Sequence, residues 1–117
     1  MSEAVIDQTT YNELKDLVGE EFMGELVETF FEEAPGLFEA MHQALVDEDA
    51  DVFRRSAHSL KSNSSTFGAT HMAALARELE VLGRDSKLDQ AESKLDELEA
   101  EYGRVAEALK ALLGTIT

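Results

Sequence analysis

Cysteine and tryptophan are absent from this chain of 117 residues, proline occurs once, and basic residues are outnumbered 25 to 10 by acidic ones. Without Cys there is no disulfide framework, no thiolate nucleophile and no Cys-based zinc site, which fits a reducing compartment and makes the cytoplasm the expected location. A net charge of −15 repels phosphate backbones and anionic lipid headgroups, so nucleic acid and membrane surfaces are not expected partners. The N-terminal stretch MSEAVIDQTTYNELKDL has no basic segment leading into an apolar one, and nowhere do about 18 apolar residues run uninterrupted. Neither an export signal nor a membrane span is read. A Met start and the length of one domain suggest a free-standing module.

What is present is a helix-forming alphabet, 44% apolar and 30% charged, of a size that buries one core. One all-α domain over residues 1–117 is expected. Thr10-Tyr11-Asn12-Glu13 has the form of a capping box and opens a short helix over about 10–18, ahead of Gly19. Phe22, Leu26, Phe30, Ala34, Phe38, Met41 and Leu45 recur at three- and four-residue steps and predict a long helix over about 20–46. Pro35 lies inside it and should kink it, or split it near Glu33, because proline removes a backbone donor and crowds the preceding turn.

Phe53, Ala57, Leu60, Ser64 and Phe67 mark a third helix over about 50–66, closed by Gly68. Thr70 is a candidate cap for a fourth over about 70–82, with Gly83 as its left-handed C-terminal residue. Leu88, Ala91, Leu95, Leu98, Tyr102, Val105, Leu109 and Leu112 predict a last helix over about 87–112, with the acidic run from Glu92 to Glu101 as its solvated face. Short loops make neighbours antiparallel, so the last four helices should form an up-down-up-down four-helix bundle with the first as a lid.

The informative stretch is Ala57-His58-Ser59-Leu60-Lys61-Ser62-Asn63-Ser64-Ser65-Thr66-Phe67-Gly68-Ala69. At about 100° per residue, the seam through Phe53, Ala57, Leu60, Ser64 and Phe67 stays within about 40° of one line, and His58 falls about 140° away, facing out. Arg54, Arg55, Lys61, Ser62 and Ser65 fall on the same outward side. Three of the ten basic residues thus crowd into eight positions, a reversal of sign suited to phosphoryl oxygens. Small Ser62 and Ser65 leave room for another protein to bring a reacting atom to the imidazole. An unperturbed histidine pKa near 6.5 leaves a nucleophilic nitrogen at neutral pH. His42 and His71 lack partners at metal-ligand spacing and read as surface residues.

His58-x-Leu60-Lys61 followed by small residues and Gly68-Ala69 resembles the signature of histidine-containing phosphotransfer (HPt) domains, His-x-Leu-Lys-Gly-small-small with Gly-Ala closing the helix. The five-helix layout extends the resemblance over nearly the whole chain. Ser62 stands where the family often has Gly, a modest steric change that bears on partner preference. The resemblance implies that His58 accepts the phosphoryl group and that Lys61 interacts with it, with Arg54, Arg55, Ser62 and Ser65 on the docking surface. It implies a monomeric phosphocarrier between receiver domains, one of a hybrid sensor kinase and one of a response regulator. Those receivers would supply Mg²⁺, so no cofactor of its own is expected. No G-x-x-x-x-G-K-[ST] loop is present, which argues against an autonomous kinase. The rival is a helical adaptor in which His58 is incidental.

Overall fold

The computed structural model describes residues 5–114, so the outermost residues of the domain expected over 1–117 lie outside it. Five helices follow one another: α1 Gln8–Val18, α2 Glu20–Asp47, α3 Ala50–Thr66, α4 Thr70–Arg84 and α5 Glu92–Leu112, the last preceded by a 3₁₀ turn at Leu88–Gln90. Helices α2 to α5 form an antiparallel up-down-up-down bundle, and α1 lies against α2 and α3. Phe30 joins the layers: its ring stands edge-on to Tyr102 of α5 and tilts against Phe67 beyond α3, with centroids 5.5 Å away in both cases.

The helix ends obey local chemistry, though not always at the expected residue. α1 begins at Gln8, earlier than the Thr10 capping box indicates, because Asp7 is the cap. Its Oδ1 accepts from the Thr9 N–H at 3.2 Å, and the Thr10 hydroxyl donates to Oδ2 at 2.9 Å. At α3, Asp49 Oδ1 accepts from the Val52 N–H at 3.1 Å. Thr70 does not cap α4; it is the first helical residue, behind Ala69. The preceding turn is instead closed by its backbone, with Ala69 N–H donating to the Ser64 carbonyl at 2.9 Å and Gly68 N–H to the Ser65 carbonyl at 3.1 Å.

Gly68 sits in that turn at φ 81°, and its carbonyl accepts the Asp7 N–H at 2.8 Å. This bond pins the start of α1 to the α3–α4 turn. Gly83 has a different role from the one expected. It stays inside α4, which runs on to Arg84, and the left-handed residue is Ser86 at φ 57°. Gly83 is buried where a Cβ would stand 3.0 Å from the backbone N and Cα of Arg54. Its missing side chain serves a close helix–helix contact, which no chain-local signal distinguishes from a C-terminal stop.

Three further expectations change. α2 is not split near Glu33, and it runs unbroken through Pro35. The proline is exposed while Ala34, Phe38 and Met41 stay buried, so tertiary packing outweighs the roughly 3 kcal/mol helix penalty of proline. The buried stripe of α2 also starts at Met23 and Val27, leaving Phe22 48% exposed and Leu26 and Leu45 half-buried. Met23 and Tyr11 of α1 line one small cavity on that side. Finally, Glu101 is not on a solvated face. It lies on the line joining Leu98 and Val105, is 3% exposed, and receives the Arg104 Nε–H at 2.7 Å.

Two glycines make opposite predictions. Gly68→Ala should lower the unfolding free energy by about 1–3 kcal/mol, from positive-φ strain and overpacking, since its Cβ would fall 2.9 Å from the Asp7 carbonyl. Gly103, helical with nothing within 4 Å of its added Cβ, should become about 0.5–1 kcal/mol more stable as Ala. Urea denaturation of both variants checks the signs.

Candidate functional site

Helix α3 shows its outward face as the wheel arranged it. His58, Arg55, Ser62 and Ser65 are exposed, and Arg54 and Lys61 are half-buried toward α4. The side chain of His58 is 55% exposed, enough for a partner to reach the ring. Ser64 faces inward, and its hydroxyl donates to the Leu60 carbonyl at 2.6 Å; this satisfied polar group keeps the seam continuous beneath the histidine.

The residue the sequence did not single out is Glu80 of α4. His58 Nδ1 lies 2.8 Å from Glu80 Oε2, and Lys61 Nζ lies 2.9 Å from Glu80 Oε1. One carboxylate therefore holds both residues. The antiparallel register explains the meeting. Arg54 packs on Gly83, and one turn forward along α3 with about one turn back along α4 brings His58 opposite Glu80. A sequence separation of 22 residues carries no periodic signature, so only the helix pairing reveals the contact.

Partial burial pushes the Glu80 carboxyl upward, but hydrogen bonds from Lys61 and His58 and their charges outweigh it, and the net shift is below the ordinary carboxylate value. Glu80 is thus ionised at neutral pH and can only accept. Neutral His58 must then donate from Nδ1–H, which leaves the Nε2 lone pair free.

The cations beside His58 are less free than the wheel suggested. Asp51 accepts from Arg54 and Arg55, each at 2.9 Å. The hydrogen bond from Arg54, with the charge of Arg55, holds the Asp51 carboxyl below its usual value. α4 adds basic residues that local reading of α3 missed: Arg77 and Arg84 join Arg54, Lys61 and Glu80 around an α3–α4 cleft of about 390 Å³.

The other histidines stand apart from this arrangement. His42 Nε2 lies 2.8 Å from Glu99 on the α2–α5 side, and His71 is exposed in the first turn of α4. Among the described residues, no group of three His, Cys, Asp or Glu side chains is placed to hold a metal ion, and no helix is long and apolar enough to cross a membrane.

The bundle thus presents an outward histidine held by a carboxylate from the neighbouring helix. The family model of the Hpt domain matches residues 25–108, and the chain belongs to that family. Among solved structures, it is similar to the crystal structure of histidine-containing phosphotransfer protein B (HptB) from Pseudomonas aeruginosa PAO1. The two share 28% identity over 99% of this chain and 100% of that one, with a TM-score of 0.90. No curated protein matches the sequence. The chain has a histidine phosphotransfer role in phosphorelays; Hpt proteins are phosphocarriers rather than autonomous kinases, and they interact with receiver domains.

The lowered Glu80 pKa sets the sign of a pH effect. Its contribution to stability is present above the unfolded-state pKa, about 4.3 for Glu, and is lost as pH falls through the lower folded value. Glu80→Gln should therefore cost about 1 kcal/mol or less near neutrality, with a cost that shrinks as pH falls below about 4. Unfolding of both proteins across that range checks it, and a cost that grew on acidification would contradict the assignment.

Proposed function

We propose that His58 is the phosphoacceptor, taking a phosphoryl group from the aspartyl phosphate of a hybrid kinase's receiver domain and passing it to the receiver aspartate of a response regulator. The observation that carries this reading is the Glu80 carboxylate 2.8 Å from Nδ1, because it leaves Nε2 unprotonated and pointing away from α4.

In the forward step the Nε2 lone pair attacks phosphorus, a P–N bond forms, and the P–O bond to the aspartyl carboxyl breaks to release a carboxylate. No proton moves. The ring keeps Nδ1–H and becomes a phosphoimidazolium, whose positive charge faces the Glu80 anion. Transfer to the second aspartate reverses these bond changes. Glu80 thus acts as a positioning residue that sets the tautomer and stabilises the charge that develops on the ring.

Lys61 is the phosphoryl-stabilising cation of this reading. It shares Glu80 with His58 and, with three donors on a flexible stem, can give a hydrogen bond to a phosphoryl oxygen while keeping the carboxylate near. Arg54, Arg55, Ser62 and Ser65 belong to the docking face. Mg²⁺ comes with the receiver, whose acidic residues bind it, and this chain contributes no cofactor. Phosphoryl transfer depends mainly on positioning and electrostatics, which the two proteins divide between them.

Incubation with a phosphorylated receiver should put acid-labile, alkali-stable label on the native chain and none on His58→Gln; label persisting on that variant would overturn the assignment. Lys61→Ala should slow transfer by about 10–100-fold, the equivalent of one charge-assisted hydrogen bond, with its circular dichroism unchanged.

A further inference from the structure

Charge on this protein is divided between two parts of the fold. The α3 and α4 helices carry five basic residues, Arg54, Arg55, Lys61, Arg77 and Arg84, against three acidic ones, Asp51, Glu78 and Glu80. With the capping acids Asp49 and Asp85 included the segment is neutral, five against five, which leaves the whole net charge of −15 on the rest of the chain. The basic residues are not scattered over the helix pair. Arg54 and Lys61 from α3 meet Arg77 and Arg84 from α4 around the same cleft, with Glu80 as its one acidic lining residue. Glu80 also contacts His58.

The cleft's cations are held in a way that leaves them available. Arg54 pairs with Asp51 and Arg84 with its neighbour Asp85, with all four side chains at least 38% exposed. Exposed pairs of this kind are worth about 0–1 kcal/mol, so a docking carboxylate can replace either acid at little cost. Arg77 is exposed and, among the described residues, makes no ion pair.

We propose that this α3–α4 cleft is an electrostatic docking surface for an acidic protein face, that of the receiver domain, with Arg77 and Arg84 as partner-binding residues beside the phosphotransfer site. The proposal rests on the reading of His58 as phosphoacceptor and adds where the partner lands and what selects it. Attraction to the cleft and repulsion by the acidic remainder act on the same partner. Together they orient the encounter so that the receiver aspartate arrives over Nε2, rather than merely raising the collision rate. Shape and apolar contact then complete the complex.

The test is transfer from one phosphorylated receiver, measured from about 20 mM to 500 mM NaCl on three proteins: the native chain, the Arg77→Glu/Arg84→Glu variant, and a Lys94→Glu/Lys110→Glu variant. The two doubles lower the net charge equally, but only the first does so on the cleft. At low salt the cleft variant should lose about 10-fold or more in the second-order rate constant, within the range of steering effects, while the control stays within about 2-fold. The gap should close as salt shortens the screening length toward a few ångströms. The rate constant at saturating receiver should stay within about 2-fold of the native value, with all three proteins showing the same helical circular dichroism.

Equal slowing of both doubles, no slowing of either, or a loss confined to the saturated rate would overturn the docking assignment. An unlabelled native chain would overturn the underlying reading of His58 instead, so the two failures are distinguishable.

Discussion

The close approach of α3 to α4 at Gly83 organises the candidate site. A Cβ at that position would press on the Arg54 backbone, and its absence lets the two helices settle at a distance short enough for side chains to reach across. The register follows from that contact. One turn away along each helix, a single carboxylate meets an imidazole and an ammonium. A wider or shifted pairing would leave His58 on the surface without orientation, free to carry its ring proton on either nitrogen.

Around that pair the fold leaves the outer face of α3 open. Ser64 returns its hydroxyl to the helix backbone, so the seam accepts a polar residue without an unsatisfied group. The bond from Asp7 to Gly68 fixes α1 against the end of α3 and covers that end of the bundle, leaving the middle of the helix uncovered. Phe30, Phe67 and Tyr102 lock α2 and α5 behind it. The histidine is therefore presented on the surface, beside the α3–α4 cleft. This suits a carrier whose reaction partner brings the phosphoryl group on a second protein and must leave with or without it.

The electrostatics have two scales. Within a few ångströms, Glu80 balances Lys61 and fixes the tautomer of His58. Over the whole molecule, four basic residues gathered at the α3–α4 cleft stand against a chain of net charge −15, with Arg54 and Arg84 paired locally to Asp51 and Asp85. Local pairing reduces what any one arginine contributes.

Helix number, order and approximate span were legible because apolar steps of three and four are a local property of the chain, as was the outward direction of His58 from the seam beneath it. The same logic failed where two solutions were locally equivalent. The stripe beginning at Phe22 and the one beginning at Met23 have the same period, and only packing in the bundle buries the second. Gly83 looked like a helix stop, Glu101 like a solvated acid and Pro35 like a break, yet packing against other elements reassigned each. The sequence by itself determined an all-helical chain with a surface histidine, a lysine one turn on and small residues beyond. Only the tertiary structure decided that Glu80 orients that histidine and that Arg77 and Arg84 share its surface, because helix register is fixed by side-chain packing between segments and leaves no periodic trace within either one.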